Sequence, residues 1–571
     1  MAKKRNTKAV SRRDFVKSGA AAGVGATVLS TSGTALAQRS PVDAVKWHYE
    51  ADVVIIGAGC MGLPAAIRAR DLGASVIVVE ENSDVGGHGM ISQGNVSLGG
   101  GTPLQKKFGI EDSPDRVYLE NTRPEHVHTR YADRAVVRAF ADHNVAAYEF
   151  LLENGVVFVD ARPTTVPAEG AVTPRRQTAR IWSNDLRETI NGTAGSGIMR
   201  PLEKSARAKG VEILLQHRMT RIVRQSPISG PVLGIAVKNL KDDSPVNIRA
   251  RRGVIACTGG SSSNLFIRTI YDPRLTEEYQ VGCEPYSRQS GDAEQQGMAI
   301  GASLGATSNM RSESYLQLTK PSFIGCRYGY ARWTPGSPFF EKAGASGISV
   351  ADYQDVICVD MLGRRFYDET VSTHLFSTDG HPDPVFGYLA AALASAVIEV
   401  NGVNQRAGGP IWAIFDADAV AREKWDPNPP FVDTANGYFF RADTLGELAG
   451  RLTANKYQKV PMAPGVLRAT VDRYNTFVDA GMDPDYNKPA PRYKVQRPPF
   501  YAAWATPILH DTYAGLRVND RFQVMDIAGN VIPGLYCAGE SAGGFALHGL
   551  GRCIVGGYIA ATNAAREPVR K

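Results

Sequence analysis

A glycine triad near residue 60 has the spacing of a phosphate-binding turn. The largely apolar segment 51–56 predicts a buried strand, and it leads directly into Gly57, Gly59 and Gly62. Gly57 allows a tight turn, Gly59 lets the backbone approach a pyrophosphate, and Gly62 lets the next helix pack on the strand. A second apolar strand ends in Glu80, whose carboxylate can accept hydrogen bonds from a ribose. The pattern predicts a dinucleotide-binding βαβ unit rather than one whose glycines serve packing alone.

Further elements must position this turn. Residues 131–155 have helical periodicity, with an apolar face made by Phe140, Val145, Tyr148, Phe150 and Leu151. Residues 197–210 predict a helix that ends at a glycine, and 211–215 and 252–258 predict strands. A long glycine-rich loop over 85–101 is typical of a functional segment.

The first 37 residues resemble a twin-arginine export signal. Arg12 and Arg13 precede a short apolar run, and Ala35-Leu-Ala37 has the small-x-small form of a cleavage site. Seven Lys/Arg and one Asp stand in this segment, so it contributes +6 of the formal net charge of +7. The remaining chain is near neutral, which argues against nucleic acid as a partner. The apolar run is too short to favour a permanent membrane span, and we expect an exported, periplasmic protein.

Cysteine spacing excludes several classes of site. None of the seven cysteines stands in a C-x-x-C or C-x-x-C-H pattern, which argues against a fused c-type haem domain or a zinc site. Cys257 and Cys537 lie in apolar strands and are most simply small core residues. Glu125, His126 and His128 have alternate spacing without further ligands, so no metal is expected.

Six segments, taken in order, resemble the FAD-dependent fumarate reductase, succinate dehydrogenase flavoprotein and 3-ketosteroid dehydrogenase family. They are Gly57-x-Gly59-x-x-Gly62, Glu80, Gly86-Gly87, Ser290-Gly-Asp292 with Gly297–Ala302, Gly363-Arg-Arg-Phe366, and Ile532–Glu540. The resemblance covers most of the chain after the export signal and implies an α/β fold. A Rossmann-like FAD-binding domain would be discontinuous over 51–310 and 508–571. An α+β substrate or cap domain, rich in aromatics and proline, would be inserted at 311–507.

The resemblance also implies cofactor contacts at matching positions. Beyond the glycine triad and Glu80, these are Gly87, His88, Gly89, Gln93, Gly94, Asp292, Glu540, Cys553 and Ile554. The helix that begins near Cys553 would point its N-terminus at the flavin, because reduced flavin is anionic. Asp292 has a second interpretation as the N-cap of a helix over 293–300.

His88 leaves two alternatives open. Succinate dehydrogenases of the family carry a covalently flavinylated histidine here, and many relatives have asparagine and bind FAD non-covalently. The spacing from His88 to Gln93 and Gly94 resembles the covalent pattern. A histidine that only forms hydrogen bonds is the favoured interpretation.

The family implies hydride transfer between a C–C bond beside an electron-withdrawing group and flavin N5. Its reductases donate a proton through an arginine fed by an upstream arginine, positions that fall near Thr373 and Asp352 here. Neither residue is basic, which counts against a fumarate reductase mechanism. Its dehydrogenases use tyrosines, and the predicted cap offers Tyr315, Tyr328, Tyr330, Tyr353 and Tyr367.

Catalytic candidates are Tyr353, His374, His548 and Arg552, with His510 as a further acid or base. His548 can donate to a substrate oxygen, and Arg552 can bind a carboxylate. The C-terminal loop that holds both matches neither the ketosteroid nor the fumarate pattern cleanly.

We therefore expect an exported FAD-dependent dehydrogenase that desaturates a C–C bond next to a carbonyl, similar to a 3-ketosteroid dehydrogenase. Electrons would leave to a separate cytochrome or quinone-linked acceptor. One alternative is a reductase of an α,β-unsaturated carboxylate, and another is a flavin-binding electron-transfer subunit without its own substrate.

Overall fold

The computed structural model describes residues 45–124, 129, 132–165, 172–182, 194–271, 275–305, 316–337, 339–351, 353–370, 397–400, 403–406, 409–545 and 547–570. The predicted export signal, the Glu125–His128 segment and His374 lie outside these residues. The described residues from Trp47 onward form one compact unit. The predicted domain boundaries at 311 and 507 stay predictions.

The described strands are, in chain order, β1 Tyr49–Ile56, β2 Val76–Glu80, β3 Asn95–Ser97, β4 Arg176–Thr178, β5 Glu212–Leu215, β6 His217–Arg224, β7 Val232–Asn239, β8 Pro245–Ala256, β9 Gln280–Val281, β10 Leu304–Gly305, β11 Leu316–Thr319, β12 Phe323–Ile324, β13 Ile348–Ser349, β14 Ile357–Val359, β15 Val397–Val400, β16 Val403–Arg406, β17 Trp412–Phe415, β18 Phe439–Ala442, β19 Phe500–Trp504, β20 Ile508–Thr512, β21 Gly515–Leu516, β22 Gln523–Met525 and β23 Val531–Cys537.

The described α-helices are, in chain order, α1 Gly62–Asp71, α2 Gly87–Ile91, α3 Pro103–Lys107, α4 Pro114–Glu120, α5 Arg134–Glu153, α6 Ser196–Ala208, α7 Leu265–Tyr271, α8 Asp292–Ala299, α9 Phe340–Ala343, α10 Ala417–Glu423, α11 Leu445–Leu452, α12 Pro464–Ala480 and α13 Leu550–Ala564. No helix in the part of the chain that the structure describes has the length and apolar character needed to cross a bilayer.

A largely parallel sheet joins the two ends of the chain. Its strand order is β22-β23-β8-β1-β2-β5, and the β6–β7 hairpin extends it from β8. Strands β23, β8, β1, β2 and β5 run parallel, and Val54 pairs with Ile77 on one side and Val254 on the other. Every residue of β1 from Ala51 to Ile56 is buried, as expected for a strand covered on both faces. The predicted α/β fold with a discontinuous Rossmann-like sheet is confirmed.

Helices α1 and α13 cover this sheet, and glycines allow them to approach closely. A Cβ at Gly557 would lie 2.5 Å from the carbonyl oxygen of Met61, and one at Gly556 would lie 2.6 Å from the Ala538 methyl group. Neither position has room for a side chain. The C-terminal helix therefore lies directly against the start of the glycine-rich turn.

The inserted region contains an antiparallel sheet of its own, with strand order β14-β17-β19-β18. Strand β17 is buried on both faces because Trp412 and Ile414 enter one apolar cluster while Ala413 and Phe415 enter another. Helices α11 and α12 supply the first cluster with residues such as Leu448. The region thus has core packing separate from that of the parallel sheet.

Most predicted elements are present with shifted ends. The strand predicted over 252–258 runs from Pro245 to Ala256, and the closing helix predicted over 553–566 begins at Leu550. Asp292 is the first residue of α8, whose N-cap is Gly291 without a side-chain cap. The N-cap interpretation of Asp292 is therefore wrong; its carboxylate accepts instead from Arg218 at 3.2 Å.

Candidate active site

A deep cavity lies where strands β1, β2, β8 and β23 end. It encloses about 890 Å³, its open mouth included, and residues from both ends of the chain line it. Among the predicted cofactor residues, those that line it are Gly57, Gly59, Glu80, Gly87, His88, Asp292, Glu540 and Cys553. The carboxyl ends of parallel strands are where α/β folds bind their ligands, so the topology itself places a dinucleotide here.

The glycine triad has the geometry of a phosphate cradle. Gly57 has φ +99°, and a Cβ there would lie 2.3 Å from the carbonyl oxygen of Cys257. A Cβ at Gly62 would lie 1.8 Å from the Gly57 oxygen, so helix α1 needs glycine to pack on the turn. Around Gly59 the nearest atom to an added Cβ is the Gly86 oxygen at 3.8 Å, which leaves open space on the cavity side. These residues fit a pyrophosphate that approaches the backbone at Gly59.

Glu80 closes the far end of this cradle. One carboxylate oxygen accepts from the Ala58 amide at 2.8 Å and the other from the Asn82 amide at 3.0 Å. Burial raises the pKa of Glu80 to about 7, against the lowering effect of these two amides. Hydroxyl donors from a ribose would add further hydrogen bonds to the charged form and favour it.

Five predicted cofactor positions do not line the cavity. A Cβ at Gly62 would meet Gly57, one at Gly89 would lie 2.8 Å from the Met199 sulfur, and one at Gly94 would lie 2.5 Å from Ala194. These glycines serve backbone packing around the turn and α2. Gln93 is exposed, whereas Ile554 is buried in the main core.

His88 is held by hydrogen bonds on both ring nitrogens. Its Nε2 lies 2.9 Å from the Gly282 carbonyl, which can only accept, so this nitrogen carries the proton. Its Nδ1 therefore accepts from the Gln289 amide at 2.8 Å. Burial lowers the pKa of His88 and favours this neutral form. The contacts support the hydrogen-bonding alternative, because a covalent bond would require at least one of them to break.

A polar chain leads from His88 away from the cradle. The same Gln289 amide donates to Glu540 at 2.6 Å. Burial, followed by repulsion from Asp511, raises the pKa of Glu540 far above the usual range, so this acid is held neutral. Burial alone would raise the pKa of Asp511 too, but His548, His510 and Arg552 outweigh it and lower that pKa. Of the two carboxyl groups of Glu540 and Asp511, only that of Asp511 therefore carries a negative charge.

Two histidines and a tyrosine complete a cluster at the end of this chain. His548 Nδ1 donates to Asp511, and the rings of His548 and His510 lie 5.2 Å apart in an edge-on arrangement. The Tyr330 hydroxyl lies 2.7 Å from His510 Nε2. Ligand atoms of His510, Asp511 and His548 all lie within 4.8 Å of one another. The cluster can donate and accept protons at several atoms.

Arg552 lies beneath the cluster at the first turn of α13. Its guanidinium is buried and donates to the Phe545 carbonyl at 2.7 Å and to the Thr512 carbonyl at 3.0 Å. Its Nε has no hydrogen-bond partner among the described residues. Two backbone contacts fix the plane of the guanidinium and leave N–H groups for an anion.

The structure does not bring Tyr353 to the cavity. Tyr353 is buried in the cap, its hydroxyl donates to the Pro321 carbonyl at 2.7 Å, and the Lys320 ammonium lies 3.3 Å from its ring centroid. Burial raises the pKa of Tyr353 far above the usual range, which disfavours a role as base. His548 and Arg552 do come together, with His510 beside them.

Sequence reasoning missed Gln289, Asp511 and Arg218. Gln289 stands directly before the Ser290-Gly-Asp292 segment, and Asp511 stands beside His510 in β20. Closeness in sequence to these candidate residues is the signal that could have identified them. Their roles depend on contacts between residues more than 30 positions apart, such as Asp511 with His548. Spacing in the chain does not report such contacts.

The cavity and the acid–histidine cluster beside it define a dinucleotide-dependent oxidoreductase. Residues 52–552 match the FAD binding domain family, and the chain belongs to that family. FAD is therefore the cofactor, and the FAD-dependent oxidoreductase predicted from the sequence is confirmed.

Relatives include both reductases and dehydrogenases. The chain is 29% identical to an acrylate reductase flavoprotein subunit from Shewanella woodyi, over 97% of this chain and 98% of that protein. It is 24% identical to a 3-oxosteroid 1-dehydrogenase from Mycobacterium tuberculosis, over 91% and 99% respectively. Its fold is similar to that of a flavocytochrome c3 fumarate reductase, with TM-score 0.63 and 22% identity over 99% of this chain and 83% of that one. The predicted resemblance to this group of proteins is confirmed.

Proposed function

We propose that the protein reduces the carbon–carbon double bond of a small α,β-unsaturated carboxylate. The observation that carries this proposal is the convergence of Arg552, His510 and His548 beside the cofactor cavity. Only one buried carboxylate in this cluster, Asp511, is held charged, because Glu540 is held neutral. A fixed guanidinium with two histidines beside it favours an anionic substrate over a neutral ketone.

Arg552 would bind the substrate carboxylate. The Phe545 and Thr512 carbonyls orient the guanidinium, so little side-chain freedom remains to be lost when an anion binds. Its position next to Cys553, which lines the cavity, supports a substrate carboxylate bound close to the cofactor. The acrylate reductase relative supports the same class of substrate, since acrylate is a small unsaturated carboxylate.

FAD, when bound and reduced, would supply the hydride for one carbon of the double bond. The protein must then supply a proton to the other carbon. His548 suits this role because the Asp511 carboxylate stabilises its imidazolium form and fixes the ring. Glu540, which contacts Asp511, and Gln289 connect this pair to His88.

The dehydrogenation predicted from the sequence is the second candidate. The Tyr330 hydroxyl within 2.7 Å of His510 Nε2 favours it, because a tyrosine activated by a histidine can remove a proton beside a ketone. Burial raises the pKa of Tyr330, however, and so opposes formation of its anion. The carboxylate reductase is favoured on this ground.

Anaerobic flavin absorbance tests the two directions. Flavin reduced by light should be reoxidised by acrylate-like acids. Arg552→Gln should raise the acid concentration needed for half-maximal reoxidation by about 100-fold, because one charge-assisted contact of roughly 3 kcal/mol is lost. Arg521→Gln, at an exposed arginine in the same C-terminal region, is the matched control. Bleaching of oxidised flavin by saturated ketones, without reoxidation by acids, would favour the dehydrogenase instead. No response to either panel would favour an electron-transfer subunit.

We further propose that the protein is exported through its twin-arginine segment and exchanges electrons with a separate cytochrome or quinone-linked partner. The paired arginines and the cleavage pattern at 35–37 support export. Edman sequencing of protein from the periplasmic fraction would detect a new N-terminus after Ala37. A product that keeps Arg12 and Arg13 in the cytoplasm would contradict export.

A further inference from the structure

The cluster of His510, Asp511 and His548 also has the composition of a metal site. His510 and Asp511 stand on β20, and His548 stands just before α13. One ligand atom from each of the three side chains lies within 4.8 Å of the other two. Within the part of the chain that the structure describes, no other group of three His, Cys, Asp or Glu side chains comes together in this way. Two imidazoles and one carboxylate form a ligand set that suits Zn²⁺.

Hydrogen bonds hold these side chains in place before any ion binds. His548 Nδ1 contacts the Asp511 carboxylate, so an ion in place of the proton between them would touch both groups. The Tyr330 hydroxyl lies 2.7 Å from His510 Nε2 and fixes the orientation of that ring. Metal-binding histidines are commonly oriented by such contacts with neighbouring polar groups. Little side-chain freedom therefore remains to be lost when an ion binds.

A cation can reach this site while FAD is bound. None of the three side chains lines the cofactor cavity, and that of His548 is 34% exposed. Arg552 opposes a cation, because its guanidinium donates to the carbonyl of Thr512, the residue after Asp511, at 3.0 Å. One carboxylate beside an arginine is a poor site for Mg²⁺ or Ca²⁺, which prefer several oxygen ligands. The two imidazoles therefore select an ion that prefers nitrogen.

We propose that His510, Asp511 and His548 bind one Zn²⁺ ion and that this ion inhibits the enzyme. Three protein ligands leave a fourth position of the tetrahedron for water. The ion takes the place of the proton on His548 Nδ1, which moves to Nε2, so the ring stays neutral. A histidine that binds a metal must be neutral, and the imidazolium form of His548 is therefore lost. Inhibition rests on the proposed function, in which His548 is the acid, whereas binding of the ion does not.

Equilibrium dialysis of the untagged, FAD-loaded protein against Zn²⁺ tests the site directly. One zinc per FAD should be retained in the presence of excess Mg²⁺, and zinc X-ray absorption should show imidazole nitrogens at about 2.0–2.1 Å. His510→Gln and His548→Gln should each lose this zinc, and an unchanged flavin spectrum would show that they are folded. His143→Gln is the matched control, at a half-buried histidine on α5 whose Nδ1 lies 2.8 Å from the Ala139 carbonyl. A native protein without zinc, or full retention by either cluster variant, would overturn the site.

Reoxidation of light-reduced flavin by an acrylate-like acid tests the inhibition. The electron donor for light reduction must not chelate metals. One equivalent of Zn²⁺ should slow reoxidation by about 10²-fold in the native protein and in His143→Gln, because general acid catalysis is lost, and a chelator should restore the rate. Zinc that binds at one equivalent and leaves the rate unchanged would overturn the inhibition. If no acid reoxidises the flavin of the metal-free protein, the proposed function and the inhibition both fail, and dialysis still decides whether the site exists.

Discussion

Replacing Asp511 by asparagine is the most direct test of the acid–histidine cluster. The substitution keeps the size of the side chain but removes the charge that stabilises the His548 imidazolium form. Asp511 is 3% exposed, so water cannot replace the lost charge effectively. General acid catalysis contributes about 10²–10⁴-fold to a rate, and we expect a loss of about 10²–10³-fold in the proton-dependent step. That loss corresponds to about 3–4 kcal/mol of activation free energy.

Single-turnover reoxidation of light-reduced flavin by an acrylate-like acid measures this loss without an electron partner. The exposed Asp520→Asn variant controls for the change of charge. FAD content should be unchanged in both variants, because Asp511 does not line the cofactor cavity. An Asp511→Asn protein that reoxidises within threefold of the parent, with the same pH profile, would refute the role given to His548.

The pH dependence of stability has a definite sign at Asp511. Its folded-state pKa is depressed by His548, His510 and Arg552 against the opposing effect of burial. The stabilisation is therefore present at pH values above the ordinary aspartate pKa and is lost as pH falls through the depressed folded-state value. Asp511→Asn should flatten this acid limb, which thermal unfolding at a series of acidic pH values would measure.

Three further perturbations test the cofactor site and the core. Glu80→Gln should weaken FAD binding by about 10-fold, roughly 1.4 kcal/mol, because a neutral amide accepts more weakly from a ribose; fluorescence titration of the deflavinated protein measures it. Gly57→Ala should yield protein without FAD, since its Cβ would lie 2.3 Å from the Cys257 carbonyl oxygen. The control is Gly450→Ala on helix α11, where an added Cβ has no atom within 4 Å. That variant should keep FAD and stabilise the folded protein by about 0.5–1 kcal/mol. Burial raises the pKa of Glu294 far above the usual range, and its carboxylate has no hydrogen-bond partner among the described residues. The protonated Glu294 therefore contributes its full share to the free energy of unfolding below the ordinary carboxyl pKa, and this contribution is lost as pH rises through the raised folded-state pKa. Glu294→Gln should remove this loss, which melting curves between about pH 5 and pH 9 would measure.

The parts of the fold set by local spacing were predictable. The strand before Gly57, the strand that ends at Glu80 and the return of the C-terminal segment to the same sheet all follow from apolar runs and glycine positions. The side chains at these strand ends had to meet because parallel strands end at one edge of a sheet.

Contacts that depend on the inserted region were harder to predict. The family's use of tyrosines makes Tyr353 a candidate, yet its place in the chain does not reveal that its side chain packs with Lys320. Asp292 is of a residue type that often caps a helix N-terminus, but its carboxylate accepts from Arg218 on the neighbouring hairpin instead. In both cases a partner distant in sequence decides the role, and local propensity carries no information about it.

The charge balance of the cluster explains how a reductase can work without arginines at positions 352 and 373. Glu540 and Asp511 are in contact, so both cannot be ionised at low cost, and burial keeps Glu540 neutral. Asp511 then holds the one negative charge, which Arg552 balances, and protonation of His548 leaves the pocket with a net positive charge. In the proposed reductase, binding of a substrate carboxylate would neutralise this charge and bring an anion beside the His548 imidazolium. Delivery of its proton to carbon would return His548 to its neutral form beside a product that still carries its carboxylate. The anion that selects the pocket would therefore also favour the charged acid that the proposed reaction consumes, and a neutral ketone would provide no such stabilisation.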